Sequence, residues 1–234
     1  MKKILTNYLG LTKLFAVVMI VFVSGISYAI SPELGFSWFR LFHIIVGIGI
    51  AGSGALALNQ YLERHTDQLM DRTKERPLPK GNISPASAHL YGHFLMWGGY
   101  LYLAYTVNGL CAIATFICGM SYLYIYTPMK ITSSLSTFFG SIPGAMLPIM
   151  GWLGKYNNIY EFDSLEPSII IVLLSLLLFL WQIPHALIIT IRYKSDYENA
   201  GMKHLPIIYN DDAAYRHIYL NIVLLMVASL IPFF

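Results

Sequence analysis

Residues 38–81 read WFRLFHIIVGIGIAGSGALALNQYLERHTDQLMDRTKERPLPKG. The stretch from Leu41 to Leu62 holds no Asp, Glu, Lys or Arg, and charge then crowds in from Glu63 onward. About 20 apolar residues are what one helical crossing of a bilayer needs. The backbone of such a run must satisfy its own hydrogen bonds in lipid, so it is a helix. The same abrupt change from apolar run to charged loop recurs along the chain. Seven candidate spans follow, at about 11–30, 38–59, 86–106, 108–127, 136–153, 168–191 and 216–234. The expectation is an all-α protein, a multi-span transmembrane helical bundle, with residues 1–234 forming one domain.

Composition agrees. The chain is 56% hydrophobic and 12% charged, with mean hydropathy +0.59. A water-soluble domain carries about 25% charged residues. No nucleic-acid partner is expected, and the bilayer is the first partner. Lys2 and Lys3 followed by an apolar run up to Ser27-Tyr28-Ala29 could be read as a cleaved secretory signal. Lys13 interrupts the place where a signal has its apolar core, so the first span is expected to be retained. Basic residues sort by side. Thirteen of the fifteen lie at the N-terminus and in the even-numbered gaps between spans, and Arg40 and Lys155 alone fall on the other side. The N-terminus is therefore expected in the cytoplasm.

Some patterns carry no chemistry. Gly47, Gly49 and Gly52 spell a dinucleotide-binding motif, but that motif works only between a strand and a helix. Inside an apolar span, small residues mean close helix packing, and Gly140 and Gly144 read the same way. Cys111 and Cys118 have neither zinc nor disulfide-framework spacing.

The segment 59–81 does carry chemistry. Asn59, Glu63, Asp67 and Asp71 recur every four residues. If the helix continues, they line one face, with Asp71 at its edge. Oxygen ligands on one face suit Mg²⁺, which shares its coordination with phosphates. Acids at i,i+4 without basic partners repel each other unless a cation sits there. Arg72, Lys74, Arg76 and Lys80 follow at once, as a diphosphate requires. A solvated loop of ordinary ion pairs is the plainer alternative. A second segment, 181–206, places Trp181, Gln182 and His185 within an apolar run and Asp196, Tyr197 and Glu198 in the loop after it. A third, 126–152, sets Lys130 alone beside Tyr126 and Thr127, either as a membrane anchor or as a diphosphate contact.

Together these segments resemble the UbiA-type intramembrane prenyltransferases, and among them the heme O synthase branch. The resemblance rests on Asn59, Glu63, Asp67 and Asp71 followed by Arg72 to Pro77. It rests also on Tyr126 to Lys130 with Gly140 to Ala145, and on Trp181 to His185 with Asp196 to Gly201. Ala200 stands where quinone-type relatives tend to have a further Asp. Leu14-Phe15 replace a usual Pro-Arg, Ala186 a usual Phe, and His204-Leu205-Pro206 a usual Met-Leu-Pro.

The resemblance implies a nine-span fold, of which this chain would lack the last two helices. It implies farnesyl transfer from farnesyl diphosphate to a vinyl group of heme B, a substrate, giving heme O. Asn59, Asp67 and Asp196 would be catalytic, and Mg²⁺ would be held by Asn59, Glu63, Asp67, Asp71 and Asp196. Arg72, Arg76 and Lys130 would bind the diphosphate, and His185 the heme. The bacterial inner membrane is the implied location, with a heme A synthase or a terminal oxidase as assembly partner. The rival readings are a sister enzyme acting on an aromatic quinone precursor, and a membrane transport or assembly protein.

Overall fold

The computed structural model describes residues 2–30, 35–156 and 169–231, and every regular element among them is helical. In chain order these are α1 (Lys2–Leu11), α2 (Leu14–Ile30), α3 (Trp38–Leu62), α4 (Arg64–Asp67), α5 (Pro85–Thr106) and α6 (Gly109–Met120). There follow a π-helical stretch (Ser121–Tyr126), α7 (Thr127–Thr132), α8 (Ser136–Leu153), α9 (Ile169–Arg192), α10 (Lys194–Asn199), α11 (Leu205–Ile208) and α12 (Asp211–Leu230).

The long helices fall where the apolar runs place them. Four of them are long and apolar enough to cross a membrane: α3, the run from α6 to α7, α9 and α12. The pair α1 and α2, bent by 49°, makes a fifth if taken as one span. Of the other two expected spans, α5 carries two histidines and four tyrosines, and α8 carries two prolines and opens on Ser136-Thr137. Local chemistry sets the starts. Ser37, Ser84, Asn108 and Asn210 each accept an amide N–H of the first turn, as N-caps do.

Helices α2, α3, α5, α6 and α8 pack in a closed circuit, and α9 joins it through α8 and carries α12. Tyr28, Ile44, Leu103, Cys111 and Met150, one from each circuit helix, meet in one buried cluster. Outward faces keep large apolar side chains exposed, among them Phe15, Phe22, Phe94, Leu101 and Met226. That is the surface of a multi-pass membrane protein. Arg40 and Lys155 meet at one end, where the Arg40 guanidinium donates to the Lys155 carbonyl at 2.6 Å.

The glycines of 47–52 do serve packing. A Cβ on Gly47 would lie 2.5 Å from Leu103 of α5, while Gly49 and Gly52 face Val21 and Ile20 of α2. The tightest crossing of α3 on α5 is at Gly54, where a Cβ would stand 2.3 Å from the Met96 amide nitrogen and 2.6 Å from the Gly92 carbonyl oxygen.

Three local features differ from the sequence reading. Residues 2–11 form a helix of their own, broken from α2 at Lys13, which holds φ 47°. The fourth span runs on to Thr132 through a π-helical turn. Pro128 has no N–H to continue the ladder, and the Tyr122 carbonyl instead accepts the Thr127 amide and, at 2.9 Å, its hydroxyl. Most important, α3 does not continue through the acidic series but ends at Leu62.

Candidate active site: a charged cavity above an apolar chamber

The end of α3 buries Asn59 and Gln60. Gln60 donates to the carbonyls of Gly10 and Leu11, both at 2.9 Å, which satisfies the end of α1 where the helix breaks. That break turns Lys13 inward, and its ammonium donates to Asn59 Oδ1 at 2.8 Å. Asn59 Nδ2 donates to Thr127 Oγ1 at 3.1 Å and so ties α3 to α7. An ionisable side chain in an apolar first span was the signal for Lys13. The sequence reading used it for topology and for weighing the signal segment, not as a site residue.

Past Leu62 the chain makes one further turn, α4, and then folds back. Thr73 Oγ1 donates to the Asp67 carbonyl at 2.9 Å, and Arg76 Nη1 donates to both Asp67 carboxylate oxygens, at 3.0 and 2.7 Å. Asp67 is fully buried. Glu63 accepts from the Lys130 ammonium at 2.6 Å, with both side chains nearly buried. Burial alone pushes the Glu63 carboxyl up; Lys130, then Lys13 and Arg76, overcome it and hold it below the usual carboxylate range. Asp71 is the correction to the one-face expectation. Because the helix has ended, its side chain is 82% exposed and pairs with Lys74. The hydrogen bond and charge of Asp71 hold the Lys74 ammonium above its ordinary value.

The three segments singled out in the sequence meet here. Asp196 accepts the amide N–H groups of Asp71 and Arg72, at 3.2 and 3.1 Å, one on each carboxylate oxygen. Arg72 Nη2 donates to the Tyr197 hydroxyl at 3.1 Å. The Lys203 amide donates to the Lys130 carbonyl at 2.7 Å. Asp196 thus latches the loop of one segment to the helix α10 of another.

The result is a cavity of about 220 Å³. Four basic side chains line it, Lys13, Arg72, Arg76 and Lys130, against two acids, Glu63 and Asp67. A cavity with that balance takes an anion. His185 also faces it, its ring stacked on Trp181 at 4.6 Å. His185 shares the cavity with Glu63 and Asp67, because the loop of α4 reaches across to α9. Asn59 and Asp196 bond to cavity residues but are not among those lining it.

A second chamber of about 300 Å³ adjoins, walled by Ile48, Ala51, Ala55, Leu147 and Met150. Tyr126, Lys130 and Gln182 line both spaces. The Lys130 ammonium stands 4.5 Å above the Tyr126 ring, at the junction.

Among the described residues, no three of Asp, Glu, His and Cys converge as a metal site. The acids of 59–71 were expected to need a cation, and the protein supplies one to each: Lys130 to Glu63, Arg76 to Asp67 and the neighbouring Lys74 to Asp71. The donor set still fits a hard ion. Glu63 and Asp67 present carboxylate oxygens to one cavity, and their present partners are cations that phosphate oxygens can equally accept.

Similar proteins have this architecture. A solved UbiA homolog from Archaeoglobus fulgidus, bound to DMAPP and Mg²⁺, superposes with a TM-score of 0.73 at 17% identity, over 95% of this chain and 76% of that one. A digeranylgeranylglyceryl phosphate synthase superposes at 0.75 and 19% identity, over 100% and 78%. A protoheme IX farnesyltransferase of Solibacter usitatus is 35% identical, over 97% of this chain and 78% of the relative. Another, of Sorangium cellulosum, is 38% identical, over 80% of this chain and 64% of the relative. The model of the UbiA prenyltransferase family matches residues 17–234, and the chain belongs to that family.

Proposed function

We propose that the chain, as one prenyltransferase domain, transfers a farnesyl group from farnesyl diphosphate to a vinyl group of heme B, the terminal vinyl carbon bonding to farnesyl as diphosphate leaves and water adding its hydroxyl to the other vinyl carbon with loss of a proton, giving heme O. The observation that carries this is the junction at Tyr126, Lys130 and Gln182, where a cationic cavity opens on an apolar chamber. An allylic diphosphate has that same division, an anionic head on an apolar tail. The names of the Solibacter and Sorangium relatives support heme as acceptor and farnesyl as the transferred group. The fold alone does not choose the acceptor.

The roles follow from the contacts. Arg72, Arg76 and Lys130 take the diphosphate oxygens and offset charge as the carbon–oxygen bond breaks and the electron pair leaves with the diphosphate. Arg76 and Lys130 then exchange a carboxylate for a phosphate partner, which releases Asp67 and Glu63. Those two, with Asn59 behind them, would hold Mg²⁺, which supplies further positive charge to the leaving group. Asp196 acts through the loop: it holds the backbone of Asp71 and Arg72 so that the Arg72 side chain faces the cavity. Asp71, turned to solvent, has no part. The apolar chamber holds the prenyl chain and keeps water from an allylic cation. His185, on Trp181, is the acceptor contact, since an imidazole can ligate iron or hydrogen-bond a propionate. The cavity end faces the cytoplasm of a bacterial inner membrane.

Two variants test the assignment on the same purified protein. Asp67→Ala is expected to lose Mg²⁺-dependent farnesyl diphosphate binding and to keep heme B binding. His185→Ala is expected to weaken heme B binding and abolish heme O formation, with diphosphate binding intact. Heme absorbance titration and a diphosphate binding assay read the two. Normal diphosphate binding in Asp67→Ala would sink the site. Loss of both ligands in His185→Ala would make that residue structural.

A further inference from the structure

His204 opens α11, and it stands where the family pattern has Met. It is 5% exposed, and it lines the charged cavity beside Lys130 and Glu63. Its Nδ1 lies 3.1 Å from the hydroxyl of Ser136, itself fully buried at the start of α8. The Tyr197 ring meets it edge-on at 5.1 Å. No described residue supplies a hydrogen bond to Nε2, so that nitrogen is left for whatever fills the cavity.

The hydroxyl can donate to Nδ1 or accept from it, and the imidazole can take either neutral tautomer. An anion in the cavity decides between them. It selects the form in which the Ser136 O–H donates to Nδ1 and the Nε2–H donates to the anion. Burial first, and then Lys130 against the opposing Glu63, pushes the imidazole down to about 4. Before an anion binds, the ring is therefore uncharged at neutral pH, and with Ser136 donating to Nδ1 it still has an Nε2–H to give an anion.

We propose that His204 is a substrate-contacting residue that donates from Nε2 to an oxygen of the diphosphate, its tautomer set by Ser136. The inference rests on the prenyltransferase reading above. Nothing about it needs the metal: the probe is inorganic diphosphate, whose oxygens are those of the substrate head.

The test uses the full chain in detergent and titrates inorganic diphosphate against wild type, His204→Met, His204→Gln and Ser136→Ala, with a thermal midpoint for each. His204→Met restores the residue of the family pattern and is expected to fold. It removes the donor, and diphosphate affinity is expected to fall by about tenfold or more. His204→Gln keeps an N–H at the same reach and is expected to stay within about threefold. Ser136→Ala, which leaves the donor but not its fixed tautomer, is expected between the two. Unchanged affinity in His204→Met overturns the proposal. So does an equal loss in the Met and Gln variants, which would make the residue one of packing. If wild type itself binds no diphosphate even with Mg²⁺ present, the reading of the whole site fails, and that is visible before any variant is compared.

Discussion

Lys130→Met removes the cation that faces Glu63 at 2.6 Å, in a pair whose side chains are only 14% and 10% exposed. Taking one member from a buried pair costs about 3–5 kcal/mol, because the other charge stays behind without a partner. Lys13 and Arg76 still act on Glu63, so the lower end, about 3 kcal/mol, is expected. At this chain length that is about 6–12 °C in the thermal midpoint. The pH dependence gives a second signature. In the wild type the folded Glu63 carboxyl lies below its ordinary value. The stabilisation it contributes is therefore present above the unfolded value, near about 4.3, and is lost only as pH falls through the folded value. Without Lys130 the largest lowering influence is gone and burial pushes the carboxyl up. The variant can then recover by protonating Glu63, and its deficit against wild type should shrink between pH 7.5 and 4.5. A double-mutant cycle with Glu63→Gln isolates the pair. Lys130→Met should cost far less in the Glu63→Gln background than in the wild type, so that the double variant is more stable than Lys130→Met alone, with a coupling of about 2–3 kcal/mol. Additivity within about 0.5 kcal/mol, or a deficit that does not change with pH, would refute the argument.

Two further outcomes are expected. Gly54→Ala would press a Cβ against backbone atoms of α5 at 2.3 and 2.6 Å, which cannot rotate away, and should cost about 3 kcal/mol in detergent unfolding; Gly98→Ala, with nothing within 4 Å, is the control, and equal midpoints would show that α5 yields at no cost. Single cysteines at Lys80 and Gly35 should label from opposite sides of sealed vesicles, since the charged loops and the Arg40 end sit at opposite ends of α3; labelling of both from one side would sink the proposed orientation.

The elements were legible in the sequence to the degree that their causes are local. Apolar runs place the long helices, while the caps Ser84, Asn108 and Asn210 set starts that the runs alone do not, so that α12 begins at Asp211, ahead of the expected 216. Extrapolation failed where a local rule was carried past its cause. The four-residue spacing from Asn59 to Asp71 describes a face only while the helix lasts, and α3 stops at Leu62. Glu63 and Asp67 remain on the cavity through the extra turn α4, whereas Asp71 is carried out to solvent. The break before α2 was hidden for a related reason. Nothing beside Lys13 in the sequence says that Asn59 is its partner, since the two are 46 residues apart.

The same limit governs the site's charges, and it changes what the acids mean. Read locally, Glu63 and Asp67 are acids without basic neighbours at i+4, which argues for a metal ion. In the fold, Asp67 has Arg76, nine residues on, and Glu63 has Lys130, 67 residues on. An acid whose partner comes from elsewhere in the chain is not evidence that a metal must be present for the protein to fold. It fits the exchange proposed above. Each carboxylate is paired with a cation that an incoming diphosphate oxygen could claim, so under that proposal anion binding and exposure of the oxygen ligands are one event. On that reasoning affinity for Mg²⁺ alone should be weak, and affinity for Mg²⁺ together with diphosphate much stronger. Titration of Mg²⁺ with and without inorganic diphosphate measures the difference, and equal affinity in the two would mean that Glu63 and Asp67 are not the ligands.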